Sequence, residues 1–225
     1  VGLEQRPARG ERPLGLGQGR DGVLYVPPSL QPGTPAPLVV LLHGAGGDAR
    51  GVLGLLREAA DAHGWLLLVP ESRGATWDAI RRGGWGPDVA FLDAALARLF
   101  ARHAVDPARV AVAGFSDGAS YALSLGLRNP GLFRRVAAFS PGFFDAPPGR
   151  TPGAGGPGGG PALFVSHGTG DEVLPIDATS RRLVPRLERA GYEVRYREFD
   201  GPHTVPPAII SEAVTWLQGP PPAPR

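Results

Sequence analysis

Apolar residues fall along this chain in two rhythms. Leu38-Val39-Val40-Leu41-Leu42 and Trp65–Val69 are continuous apolar runs, the pattern of strands buried on both faces. Shorter strand-like runs occur at Val23–Val26, Arg109–Ala113, Val136–Ser140, Ala162–Ser166 and Glu193–Phe199. Between them the spacing changes to threes and fours. Gly51–His63 places Val52, Leu55, Leu56 and Ala59 on one side, and Val89, Leu92, Leu96 and Leu99 recur behind Asp88, which reads as an N-cap. Further helices are expected over 117–127, 177–190 (with Asp177 as N-cap) and 205–217. Strands that alternate with helices of this length form βαβ units, hence a mostly parallel central sheet with helices on both faces.

With 42% hydrophobic and 20% charged residues in 225, the chain has material for a sizeable core. The expected organisation is an irregular arm over 1–22, one α/β domain over 23–218 and a Pro-rich tail over 219–225. The 34 Gly and 26 Pro gather at the ends and in Ala146–Pro161, a loop long enough to be mobile. Net charge is only +2, and every Lys/Arg position is Arg. The Arg pairs are scattered without interleaved aromatics, so no nucleic-acid surface is expected. No apolar run approaches the length of a membrane span. Absence of Cys excludes a disulfide or a thiolate nucleophile. Absence of Met, position 1 included, reads as a processed chain; cytoplasm and export after signal-peptide removal both stay open. A monomer or small homo-oligomer is expected.

One motif carries chemistry. Val110-Ala111-Val112-Ala113 runs into Gly114-Phe115-Ser116-Asp117-Gly118 and then a helix. A strand that turns at once into a helix crowds its own backbone, and Gly two residues either side of the Ser leaves the space. The hydroxyl is lifted above the sheet edge at a helix N-terminus, where developing negative charge is favoured. A Ser hydroxyl is a weak nucleophile and needs a base, itself oriented by a carboxylate.

Of the five His, His63 and His103 lie at helix ends, His43 precedes the Ser, and His167 ends a strand as a backbone-bonding residue. His203, in Gly201-Pro202-His203 after the last strand, sits where an open α/β sheet gathers functional groups, and is the expected base. The expected acid is Asp171, with Glu172 as main competitor and Asp200 as a nearby carboxylate. Ser116, Asp171, His203 is the nucleophile–acid–base order of one hydrolase architecture.

The chain resembles the α/β-hydrolases, in particular the compact phospholipase/carboxylesterase branch and the polyhydroxybutyrate depolymerase-like and feruloyl-type esterases. The matching segments are His43-Gly44-Ala45-Gly46-Gly47-Asp48, Gly114–Gly118, His167-Gly168-Thr169-Gly170-Asp171-Glu172-Val173-Leu174-Pro175 and Gly201-Pro202-His203. The resemblance implies an α/β-hydrolase fold without a large lid and a serine carboxylic-ester hydrolase working through an acyl-enzyme. It also implies an oxyanion hole from the backbone N–H groups of Asp117 and Ala45, with Gly46 as second choice for the latter. No cofactor or metal is expected, since no His/Asp/Glu cluster has ligand spacing. The partner is a small-molecule or polymeric ester: short-acyl, aryl, polyester, feruloyl, thioester or lysophospholipid. Trp77, Trp85, Phe115 and Phe144 fall near the catalytic edge and are the expected substrate-binding residues.

Overall fold

The computed structural model describes residues 9–17, 19–81, 84–145 and 160–220. Its centre is an eight-stranded sheet: β1 (Gly10–Pro13), β2 (Gly22–Val26), β3 (Ala36–Leu42), β4 (Leu66–Pro70), β5 (Val105–Phe115), β6 (Arg135–Phe139), β7 (Ala162–Gly168) and β8 (Val194–Phe199). The spatial order is β1-β2-β4-β3-β5-β6-β7-β8, with β1 and β2 antiparallel and the strands from β4 to β8 parallel. Seven helices accompany it: α1 (Ala49–Leu53), α2 (Arg57–His63), α3 (Asp78–Arg81), α4 (Pro87–Phe100), α5 (Asp117–Arg128), α6 (Ser180–Arg189) and α7 (Pro207–Gln218).

The continuous apolar runs are explained by two cores. Leu38, Val40 and Leu42 of β3 point into the core under α4, α5 and α6. Val39 and Leu41 point the other way, against α1, α2 and α7. A strand alternates faces with period two, so a strand covered on both needs apolar residues at every position. The outer strand β8 carries Arg195, Arg197 and Glu198 instead, which suits an edge that must not recruit another strand.

Five details differ from the sequence expectations. The arm read as irregular contributes β1, whose ladder to β2 supplies pairing that its weak apolar pattern did not announce; residues 1–8 lie outside the described residues. The helix expected over Gly51–His63 is two, α1 and α2, because Asp48 caps the first at Gly51 and Gly54 ends it. Asp88 is not an N-cap. Pro87 takes the first helical position of α4, and the Asp88 carboxylate turns inward to accept the N–H of Arg73 and of Asp78. Asp177 does not cap α6 either; it stays exposed and pairs with Arg181. The short helix α3 had no sequence signal. The Ala146–Pro161 loop lies outside the described residues except for its last two positions.

Strand order reverses beside β3, whose neighbours are β4 and β5. β3 and β5 pair as far as Leu42 and Gly114, and the chains leaving their carboxyl ends pass to opposite sides, to β4 and β6, the usual site position in an open α/β sheet.

Candidate active site

Ser116 follows β5 directly, and its backbone is forced into φ 58°, ψ −121°. That region is unfavourable for a residue with a side chain and persists only where the surroundings fix it. Here they do. A Cβ on Gly114 would lie 2.2 Å from the carbonyl oxygen of Gly118, and one on Gly118 would lie 2.2 Å from that of Leu42. The Ser116 N–H donates to Phe139 O at 2.9 Å, tying the turn to β6.

Two loops bring the partners. His203 lies between β8 and α7, and Asp171 lies in the loop after β7. The loops touch because Gly168 has no side chain: a Cβ there would sit 2.4 Å from the carbonyl oxygens of Gly201 and Pro202. Thr169 N–H and Gly170 N–H then donate to Phe199 O and Gly201 O, at 2.8 and 2.9 Å. His203 Nε2 stands 2.9 Å from Ser116 Oγ, and its Nδ1 stands 2.5 Å from Asp171 Oδ2. A carboxylate only accepts, so Nδ1 carries the hydrogen and Nε2 is left to receive the Ser116 proton.

Asp171 is buried at 5% exposure. Burial pushes its carboxyl up, but the Leu174 N–H and the two neighbouring imidazoles outweigh that and hold it below the usual carboxylate range. Glu172 and Asp200, the alternative acids, are both exposed. His63 is exposed and His103 is half-buried at the end of α4.

His43 is buried behind the β3 loop. Its Nδ1 donates to Gly44 O at 2.7 Å and its Nε2 accepts the Ser72 N–H at 3.0 Å, while burial keeps it neutral by lowering its pKa. Arg20 reaches in from the N-terminal hairpin to donate to Gly47 O and Ser72 O, each at 2.7 Å. The N–H of Gly46 is engaged by Ala75 O at 2.7 Å. No hydrogen bond from the N–H of Ala45 or of Asp117 occurs among the described residues. Thr76 Oγ1 donates to Asp117 Oδ2 at 2.6 Å, a brace that sequence reasoning missed.

A cleft of about 340 Å³ opens beside His203 and the β3 loop. Phe115, Val52, Leu55 and Val205 supply its apolar surface. Of the four expected substrate-binding residues only Phe115 lines it; its ring also packs 4.8 Å from that of His203. Trp77 is 1% exposed, stacked on Tyr121, with its N–H donated to His43 O at 2.9 Å. An indole whose polar edge is satisfied inward belongs to the interior. Trp85 and Phe144 pack on the same core as Tyr121, with Arg128 and Arg186 over their rings. The cleft residues Val52, Leu55 and Val205 were legible only as helix-face positions, with Gly54 the one hint that the helix breaks there. Among the described residues no group of three or more His, Asp and Glu is placed to hold a metal ion, and no helix is long and apolar enough to cross a membrane.

Comparison with known proteins agrees with this geometry. The Esterase family model matches residues 89–152, the stretch that holds Ser116. Feruloyl esterase C of Emericella nidulans is 29% identical over 184 residues, which is 76% of this chain and 64% of that protein. The chain thus spans less than two thirds of this curated relative. The crystal structure of esterase PE8 superposes with a TM-score of 0.69 at 27% identity, covering 88% of this chain and 97% of that one. A fluorophosphonate-binding serine hydrolase of Staphylococcus aureus, FphF, shares the fold with a TM-score of 0.69 at 14% identity, over 90% of this chain and 93% of that one. A strained Ser turn at the switch point of a mostly parallel sheet, with esterases among the similar sequences and structures, supports an α/β-hydrolase fold of the esterase kind.

Proposed function

We propose that Ser116, His203 and Asp171 form a catalytic triad that hydrolyses carboxylic esters through an acyl-enzyme. The single observation that carries this reading is the unbroken relay from Ser116 Oγ through the imidazole to a buried, ionised carboxylate. Ser116 Oγ attacks the ester carbonyl as His203 Nε2 takes its proton. The oxyanion is met by the N–H groups of Ala45 and Asp117, each such donor being worth roughly 10²–10³ in rate. Collapse expels the alcohol, which receives the proton from His203. Water then repeats the sequence on the acyl-enzyme and restores Ser116. Asp171 stays ionised throughout and holds the imidazole in the productive tautomer.

The apolar, open cleft suits short-acyl or aryl esters. A feruloyl ester is the specific second reading, supported by the relative of that name and by the ring of Phe115 beside His203. Polyesters, thioesters and lysophospholipids remain candidates for the same triad. The deciding experiment compares wild type and Ser116→Ala on p-nitrophenyl butyrate and methyl ferulate. Ser116→Ala is expected to lose at least about 10⁴-fold in kcat and all fluorophosphonate labelling, with its fold intact. Undiminished turnover would refute the proposal.

A further inference from the structure

Behind the proposed triad lies a second imidazole that the mechanism above does not use. His167, at the end of β7, is fully buried. Its Nε2 is 3.1 Å from Asp171 Oδ2, the same oxygen that His203 Nδ1 approaches at 2.5 Å, and 2.8 Å from Leu174 O. Both of those partners only accept, so His167 carries its hydrogen on Nε2. Its Nδ1, 2.7 Å from Ser180 Oγ on α6, then accepts the hydroxyl hydrogen. Asp171 Oδ1 receives the N–H of Val173 and of Leu174 at 2.9 and 2.7 Å. Three N–H groups therefore donate to one carboxylate, two on Oδ1 and His203 on Oδ2, while the His167 N–H, directed at Leu174 O, stands 3.1 Å from Oδ2 as a weaker third-centre contact.

We propose that His167, neutral and held by Ser180, is a positioning residue whose Nε2–H, bonded to Leu174 O and 3.1 Å from Asp171 Oδ2, helps fix the direction in which Asp171 meets the base and moderates its charge. The rate role rests on the esterase reading; the hydrogen-bond role does not. Rotation of the carboxylate would leave the N–H groups of Val173 and Leu174 unpaired, and the His167 N–H beside Oδ2 favours the orientation that faces His203. The His167 N–H dipole beside Oδ2 also draws charge from the oxygen that stabilises the imidazolium formed during turnover.

The titratable and charged groups acting on this cluster are few. Asp171 and His167 come from β7 and its loop, and His203 comes from the loop after β8. Glu198 on β8 senses His167 and is held at 2.7 Å by Arg181 of α6, while Asp117 at the start of α5 is tied to Thr76. Burial lowers the His167 pKa, which agrees with a neutral ring.

The test pairs His167→Phe, which keeps a ring and removes the donor, with His167→Gln, whose amide can return an N–H near the Nε2 position. On p-nitrophenyl butyrate, His167→Phe is expected to lose about 10- to 100-fold in kcat with KM held within about threefold, as removal of a charge-assisted hydrogen bond predicts. The acid limb of its kcat/KM profile should move up by about half a pH unit or more. His167→Gln should recover to within about fivefold of wild type with the limb returned. A wild-type kcat and profile in folded His167→Phe, or equal damage in both variants, would overturn the assignment. Should His167→Phe fail to fold, long-range ¹⁵N–¹H spectra of the wild-type chain decide. A neutral Nε2–H tautomer for His167 between about pH 6 and 8 supports the proposal, and an imidazolium or Nδ1–H form overturns it. The spectra need no substrate, so wild-type protein without ester turnover would refute the esterase reading while leaving the His167 hydrogen bond separately decided.

Discussion

The cleft beside Ser116 has one open wall and, behind the nucleophile, one closed one. On the closed side Trp77 stacks between His43 and Tyr121, with ring centroids 4.9 Å from each. Below them, Tyr121 donates to Asp78 Oδ1 at 3.1 Å, while Asp78 Oδ2 accepts the N–H of Gly86 and Asp88 at 3.0 and 2.8 Å. Asp88 answers by accepting the N–H of Asp78 at 2.7 Å. Burial raises the carboxyl of Asp88 and pushes the Tyr121 hydroxyl far above its ordinary value, so that phenol stays protonated and donating. The open wall has no such network. Val52 and Leu55, from α1 and the turn after it, and Val205, from the loop before α7, present only hydrocarbon side chains. The contrast teaches that large aromatic residues near an active site need not form its pocket. Where an aromatic residue's polar edge finds a partner in the interior, the ring holds the site in place. On the proposed function, the smaller aliphatic residues across the cleft are the surface offered to an ester.

That contrast can be broken most forcefully at Trp77. Trp77→Ala should destabilise the protein by about 3–5 kcal/mol, the usual range for truncating a buried aromatic, and should lower kcat because the N–H that restrains the His43 loop is gone. Urea unfolding with parallel ester kinetics measures both; a stable, fully active variant would mean that the closed wall does not support the site. Leu55→Trp tests the open wall. It should leave stability within about 1 kcal/mol, since the position is half exposed, yet raise KM for aryl esters by roughly tenfold, about what one or two lost apolar contacts are worth. An unchanged KM for both aryl and short-acyl esters would remove the cleft from substrate binding.

Acid compares the two histidines buried on either side of the Ser116 turn. Burial lowers the pKa of His43 and of His167, so each is neutral in the fold and charges readily once unfolded. Their contribution is present above the unfolded value of about 6.5 and is lost as pH falls below it toward the folded values. Asp171, held below the usual carboxylate range, adds a second loss that begins only below about pH 4. Urea midpoints measured from pH 7.5 downward should therefore decline in two stages, and His167→Gln should weaken the first. A flat profile down to about pH 5 would show that neither ring resists protonation in the fold. The smallest effect is expected at Trp85. Its N–H reaches Asp145 at 3.3 Å and its ring lies under Arg128, away from the cleft, so Trp85→Ala should change KM by no more than about twofold. A tenfold change would restore it to the substrate surface.

Much of this was legible in the sequence. The continuous runs that became β3 and β4 follow from apolar patterning alone, because a strand covered on both faces favours apolar residues at every position. The Ser116 turn was equally visible, since Gly114 and Gly118 occupy places where any side chain would strike backbone. Gly168 is the same kind of signal, though its cause, the carbonyls of Gly201 and Pro202, lies more than thirty residues away. Carboxylates were read less well. Asp88 and Asp177 both look like helix caps, but a carboxylate accepts an N–H from any segment that reaches it, and spacing does not say which segment will.

By itself, then, the sequence determined the parallel sheet and the strained turn, and it named Ser116, His203 and Asp171 as the groups to look for, because each depends on local sterics, on periodic burial or on residue type and order. Tertiary structure alone decided that Trp77 is interior and Leu55 faces the cleft, that Asp171 rather than Glu172 or Asp200 meets His203, and that His167 lies beside its carboxylate. Those outcomes depend on which loops arrive at the carboxyl edge together. Long-range packing sets that meeting, and no window of neighbouring residues encodes it.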